Sequence, residues 1–279
     1  VSIERVVLPA MPGEIGMGPF GPFGRPQRLE PGDVAISIAA LSEIALAPAL
    51  ELLNRAELER VERITCEDYR LHVVKARALL RRMLARFTGR SPESFEFDEG
   101  GGTQPRLRAN PWGLHFSVSH SADWVAVAIA PEPIGIDIEL VAPDCGWQDI
   151  AETCFHLSER RHLQGMSGPP AREAFFEIWT RKEAYLKAIG SALDTNPPSF
   201  STVERNGAVR ADAEPAERGT WYTRAISAPA HYKAALASRW PQPRLIHCQP
   251  ACASAAHGES SRRGSLAVAD TRSVSGFAG

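Results

Sequence analysis

Apolar and polar positions along this chain alternate between two periods, and the order in which those periods follow one another occurs twice. A short apolar strand at 34–39 precedes two stretches of helical periodicity, about 42–63 and 67–88. Strand patterns follow at 94–98, 113–120 and 124–130. The order then restarts with a strand at 134–140, helical stretches at about 148–164 and 170–189, and strands at 199–205, 208–212, 220–227 and 231–238. Arg205-Asn206-Gly207-Ala208 carries the residues of a two-residue hairpin turn. The segments SADWVAVAIA and APAHYKAALA are alike, each a turn, an aromatic residue and a short apolar strand. The doubling predicts an α/β (α+β) fold of two similar units, 33–131 and 132–245, joined near 131–133, with a ligand cleft between them.

The two ends of the chain lack this patterning. Residues 8–32 hold six Pro and six Gly, which neither a helix nor a central strand accommodates, so 1–32 reads as an irregular arm. Gly16, Gly18 and Gly21 inside it fit G-x-G-x-x-G, but Pro19, Pro22 and Pro26 break the helix that a dinucleotide site needs. Ala, Ser and Gly make up half of 246–279, and that segment is expected to be a mobile tail. His247, Cys248, Cys252 and His257 lie in it without the spacing of a zinc site.

Composition narrows the function classes. The chain has 279 residues, 44% hydrophobic and 23% charged, with a formal net charge of −2. That is a globular composition, and near-neutrality argues against a nucleic-acid binder working through bulk positive charge. No apolar run approaches the roughly 20 residues that span a bilayer, and the first residues do not read as a signal peptide. Five cysteines in no framework spacing suggest reduced thiols and a cytoplasmic setting.

Three clusters carry chemistry. In Ile134-Gly135-Ile136-Asp137-Ile138-Glu139-Leu140 the isoleucines and Leu140 face one side of a strand, and Gly135, Asp137 and Glu139 face the other. Two carboxylates about 7 Å apart on one face repel unless a proton or cation lies between them, and Mg²⁺ suits such a pair. An edge strand with its acids in water is the plainer alternative. On the helix at 170–189, Phe175, Ile178, Leu186 and Ile189 form the apolar stripe and Gly190 ends it, while Glu183 and Lys187 share a face. They are either a surface ion pair or a third carboxylate beside a lysine that handles protons or phosphate charge. In Phe116-Ser117-Val118-Ser119-His120-Ser121, Phe116 and Val118 face one side of a strand and Ser117 and Ser119 the other, and His120 stands at the strand end before a turn through Ser121, Ala122 and Asp123. Adjacent Ser119 and His120 project oppositely, which is wrong for a nucleophile–base pair. A polar turn cluster or an anion site remains.

Taken together and in this order, Gly135-Ile136-Asp137-Ile138-Glu139, Trp179-Thr180-Arg181-Lys182-Glu183-Ala184 with Lys187 and Gly190, and Ser117-Val118-Ser119-His120-Ser121 resemble the 4′-phosphopantetheinyl transferases of the Sfp type over roughly residues 30–240. The resemblance implies two α/β halves related by a pseudo-twofold axis with the site between them. It implies transfer of the phosphopantetheine arm of coenzyme A to a serine of an apo acyl- or peptidyl-carrier protein, releasing 3′,5′-ADP. Asp137, Glu139 and Glu183 would hold Mg²⁺ on the pyrophosphate, Glu183 would take the serine proton, and Lys187 would neutralise the phosphate or act as general acid. His120 and Ser119 would bind the coenzyme, and Lys182 would add a phosphate contact.

Residues 69–90 carry seven basic residues and no acid. They form either a solvated face or a helix offering charge to the 3′-phosphate and to an acidic carrier protein. Of the two positions the resemblance suggests for the 3′-phosphate, Arg77 is preferred to one near His72. Thr103-Gln104-Pro105-Arg106 departs from the family's Gly-Lys-Pro or Gly-Arg-Pro; Gln104 cannot supply that charge, and Arg106 or Arg108 stands in reach. The competing expectation is a non-catalytic module that binds coenzyme A or a carrier protein. Two units in one chain complete a cleft, so a monomer is expected, with neither nucleic acid nor membrane as partner.

Overall fold

The computed structural model describes residues 15–17, 26–98, 105–143, 145–191, 197–204, 206–211 and 219–250. In chain order the elements are β1 (Ile15–Met17), β2 (Asp33–Ala40), α1 (Leu46–Glu51), α2 (Arg55–Glu62), α3 (Glu67–Thr88), β3 (Phe97–Asp98), β4 (Arg106–Leu107), β5 (His115–Ser121), β6 (Trp124–Ala130) and β7 (Gly135–Leu140). They continue with α4 (Trp147–Cys154), α5 (Leu157–Leu163), α6 (Gly168–Ile189), β8 (Phe200–Ser201), β9 (Arg210–Ala211), β10 (Tyr222–Ile226), β11 (Tyr232–Ser238) and β12 (Arg244–Cys248). The chain is a mixture of helix and sheet.

Both long helices end on a left-handed glycine, Gly89 at φ 70° and Gly190 at φ 69°. The two other helical stretches break where a cap intervenes. Asn54 forms a capping box with Glu57 and starts α2, and His156 does the same with Glu159 and starts α5. The strand patterns at 199–205 and 208–212 shrink to the two-residue pairs of β8 and β9. Arg205 of the expected turn lies outside the described residues.

One sheet has the order β1-β12-β2-β6-β5 and a second β10-β11-β7. Alternation along the strands gives each sheet two apolar faces. Val34 and Ile36 of β2 and Ala126 and Ala128 of β6 meet Ile136 and Ile138 of β7 and Leu236 of β11, so the sheets pack on one another. On the outer face of the first, Ala35, Val125 and Val127 meet Leu79, Leu80 and Met83 of α3. On the outer face of the second, Ala235 and Ala237 meet Ala184, Leu186 and Ala188 of α6. The layers therefore run helix, sheet, sheet, helix. In each sheet the strand that precedes the helices lies beside the second strand of the later hairpin, β2 beside β6 and β7 beside β11.

The chain's end departs from expectation. Residues 246–248 belong not to a tail but to β12, which pairs in parallel with β2 and places Ile246 and Cys248 in the core. Arg244 donates from Nε and Nη2 to the two carboxylate oxygens of the buried Asp33, at 2.7 and 2.6 Å. The signal was present as RLIHC, a short apolar run inside an otherwise polar segment. Cys252 and His257 lie outside the described residues, as do Gly18 and Gly21 of the arm. Among the described residues no helix is long and apolar enough to cross a membrane.

Candidate active site

Strands β5 and β7 lie side by side at the seam between the sheets without backbone pairing, and serine hydroxyls bridge the gap. Ser117 Oγ accepts from the Ile136 amide at 3.1 Å, Ser119 Oγ donates to Asp137 Oδ1 at 2.7 Å, and Ser121 Oγ donates to Glu139 Oε2 at 2.7 Å. The period-two pattern read in both segments is what sets these hydroxyls against the two carboxylates.

Helix α6 closes the other side. A Cβ built at Gly135 would stand 1.8 Å from the Ala184 carbonyl oxygen, so the helix backbone rests directly on the strand. The neighbours of this contact, Glu183 and Lys187, are thereby delivered to Asp137. Lys187 Nζ donates to Asp137 Oδ1 at 2.6 Å and to Ser119 Oγ at 2.8 Å. Asp137 Oδ2 and Glu183 Oε1 are buried with no hydrogen-bond partner among the described residues. Burial lifts the Asp137 carboxyl against the pull of the Lys187 ammonium. Glu139 and Glu183 are each pushed up to about 7, first by burial and then by the Asp137 charge.

Three mutually repelling carboxyls, two of them with an orphaned oxygen, share the single ammonium of Lys187, and a hard divalent cation would supply the positive charge that one lysine leaves short. The carboxyls do not already form a cage: among the described residues, no group of three acidic, His or Cys side chains is arranged to hold a metal ion. The ammonium of Lys187 takes the cation's part on Oδ1.

His120 faces α3, where its ring lies 5.4 Å from His72 and 5.8 Å from the exposed Tyr69. Burial, then the His72 and Lys187 charges, push its pKa down. An anion placed there would reverse the last two effects.

Two expected binding residues turn elsewhere. Arg77 Nε lies 3.3 Å from Glu57 Oε1, and its guanidinium is 4.3 Å from the Phe97 ring centroid. It shares this stripe of α3 with the fully buried Arg81, which also binds Glu57 and the Pro92 carbonyl. Position 72, not 77, is the one that meets the strand end, because five residues along a helix turn the side chain by about 140°. Lys182 is also corrected. Its Nζ is buried on Glu159 Oε2 at 2.9 Å and the Phe200 carbonyl at 2.7 Å, against the Phe200 ring. It fixes α6 to α5 and β8 and has no access to a phosphate at Asp137.

Beyond Lys187 opens a cleft of about 520 Å³ whose polar lining is Arg106, Asn110, His115, Lys187 and Arg239, with Trp221 among its apolar walls and no acid among the described residues that line it. Arg106 reaches it beside Gly190. Arg108 turns away to Glu96 Oε2 at 3.0 Å. Gln104 lies outside the described residues.

Residues 133–237 match the family model of the 4′-phosphopantetheinyl transferase superfamily. The chain is 31% identical over 164 residues to a 4′-phosphopantetheinyl transferase of Bacillus subtilis, covering 58% of this chain and 71% of that protein. It is 30% identical over 171 residues to one of Bacillus pumilus, covering 57% and 72%. Over 81 residues it is 44% identical to one of Aneurinibacillus migulanus, covering 29% and 33%.

Proposed function

The chain belongs to the 4′-phosphopantetheinyl transferase superfamily, and on that premise we propose that it moves the 4′-phosphopantetheine arm of coenzyme A onto a serine of an apo acyl- or peptidyl-carrier protein. The serine oxygen bonds to the phosphorus that carries pantetheine, the bond from that phosphorus to the bridging oxygen breaks, and 3′,5′-ADP leaves. The observation that carries this reading is the half-buried Lys187 ammonium on Asp137 and Ser119, with Glu139 and Glu183 beside it and an oxygen of Asp137 and of Glu183 left unpaired. Charge and positioning of this kind are what phosphoryl transfer needs.

Asp137, Glu139 and Glu183 would hold Mg²⁺, which when bound neutralises charge on the pyrophosphate. Glu183, a carboxyl on α6 beside Lys187 and Asp137, would take the proton of the attacking serine. Lys187 faces the same space and stabilises the departing phosphate. His120, joined by His72 rather than Arg77, forms the edge for the 3′-phosphate, and Ser119 fixes Lys187 toward the coenzyme. The cleft beyond Lys187 seats the nucleoside, with Arg106 supplying the positive charge that Gln104 lacks.

The repeated neighbour relation of β2–β6 and β7–β11 supports two halves about a pseudo-twofold axis, 33–131 and 132–245. Every residue named lies in one chain, so a monomer suffices. The free thiols suit the cytoplasm, where the coenzyme and an acidic carrier protein meet the basic α3.

The test is mass spectrometry of apo carrier proteins incubated with the protein, coenzyme A and Mg²⁺. One phosphopantetheine per acceptor serine is expected, lost in Glu183→Gln and on chelation. No mass gain across a panel of carriers overturns the reading.

A further inference from the structure

We infer that Ser121 is a positioning residue for the metal site: its hydroxyl fixes the Glu139 carboxylate in the pose in which it meets a divalent cation. The inference rests on the reading of Asp137, Glu139 and Glu183 as the cation's ligands.

The argument starts from the edge of β7. Its other edge is paired along its length to β11, so the amides that face β5 must find partners elsewhere. Strand β5 offers none from its own backbone there, and alternate serines stand in. Ser121 Oγ accepts from the Leu140 amide at 3.1 Å and donates to Glu139 Oε2 at 2.7 Å.

A serine hydroxyl has one proton. With the Leu140 N–H occupying the acceptor side, that proton is directed at the carboxylate. One hydroxyl thus ties the side chain of Glu139 to the backbone of the next residue and removes its freedom to rotate. Asp137 is held by Ser119 and Lys187. Glu139 has no such cation, and the Ser121 hydroxyl is the partner that lowers its proton affinity most against burial. A weaker side-chain hydrogen bond comes from Trp179. Partners that orient metal-binding carboxylates are commonly worth 10- to 100-fold in metal affinity.

Ser121 is also the last residue of β5 before the turn to β6, where a purely local role is the competing account. The test separates the two by Mn²⁺ binding, followed by electron paramagnetic resonance on the purified full chain without coenzyme or carrier. Ser121→Ala should raise the Mn²⁺ dissociation constant by about 10-fold, and Ser121→Thr, which keeps the hydroxyl, should restore it. In a Glu139→Gln background, Ser121→Ala should add less than about 2-fold, because the effect passes through Glu139.

Thermal melts on the same samples track folding. Wild-type Mn²⁺ affinity in Ser121→Ala overturns the inference, as does an undiminished effect in the Glu139→Gln background or failure of the threonine variant to rescue. If Glu139→Gln itself leaves Mn²⁺ affinity unchanged, the ligand assignment falls and the inference with it. If Glu139→Gln weakens binding and Ser121→Ala does not, only the inference falls.

Discussion

Gly135 lies against Ala184 with no room for a methyl group between them: a Cβ there would stand 1.8 Å from the Ala184 carbonyl oxygen and 2.8 Å from the Ala188 amide nitrogen. The obstacle is helix backbone, which cannot rotate aside. Gly135→Ala must lift α6 from β7 and carry Glu183 and Lys187 away from Asp137. Overpacking of this kind costs about 1–3 kcal/mol, and a displacement near 1 Å at a reacting centre costs about 100-fold in rate. A melting temperature and carrier-modification rate both close to wild type would show that the contact does not set the site.

This contact explains why the site was legible in sequence. The glycine, the alternating acids and the i, i+4 pair Glu183/Lys187 are local patterns, and period fixes which side each residue faces. Ser117 and Ser119 of β5 were legible in the same way, whereas Ser121, expected in the turn, is the last residue of the strand. What period does not give is rotation between distant elements. The basic face of α3 holds arginines at 77 and 81 that both turn to Glu57 of α2, a partner 20 or more residues away, while His72 turns to His120. For Lys182, a motif position suggested phosphate, but adjacency to Glu183 places it about 100° around the helix, in the core. Strand β12 had a local signal in RLIHC, but its place in the sheet was not legible because its partner, β2, is some 200 residues earlier in the chain.

Lys182 is expected to be a stability residue. Its ammonium and the Glu159 carboxylate are both fully buried, and Glu159 also accepts from the Thr202 amide and hydroxyl. Lys182→Met leaves a buried carboxylate without its counter-charge, a loss of about 3–5 kcal/mol. Lys182→Met with Glu159→Gln should recover part of it. Coenzyme A affinity of folded Lys182→Met should stay near wild type in calorimetry. A selective loss of affinity with unchanged melting would return Lys182 to the phosphate site.

Arg106 and Arg108 stand two residues apart and should behave differently. Both are exposed, but Arg106 lines the cleft, whereas Arg108 is paired with Glu96. Arg106→Ala should weaken coenzyme A binding by about 10-fold, the scale of a cation lying on an aromatic ring or opposite a phosphate. Arg108→Ala should leave it within about 2-fold, as an exposed pair is worth little. Isothermal titration with coenzyme A and its 3′-dephosphorylated form adds a second measure. Arg106→Ala should weaken both ligands alike, whereas His120→Ala should weaken coenzyme A selectively. A selective effect from Arg106→Ala would move the 3′-phosphate into the cleft.

The two carboxyls near pH 7 predict how stability and metal binding vary with pH. Glu139 and Glu183 are raised from 4.5 to about 7 in the folded protein, so between those values the native state holds protons that the unfolded state has released. Stability of the metal-free protein therefore falls as pH rises from about 4.5 to 7, and above that it no longer changes from this cause. A divalent cation binds the ionised form and must expel those protons below pH 7. The rise in melting temperature on adding Mg²⁺ should accordingly be larger at pH 8 than at pH 6. Glu183→Gln, which has no proton to lose there, should shrink the difference. Differential scanning fluorimetry at pH 6, 7 and 8 with and without Mg²⁺ measures this directly. An equal Mg²⁺ effect at pH 6 and pH 8 would mean that these carboxyls are not where the cation is held.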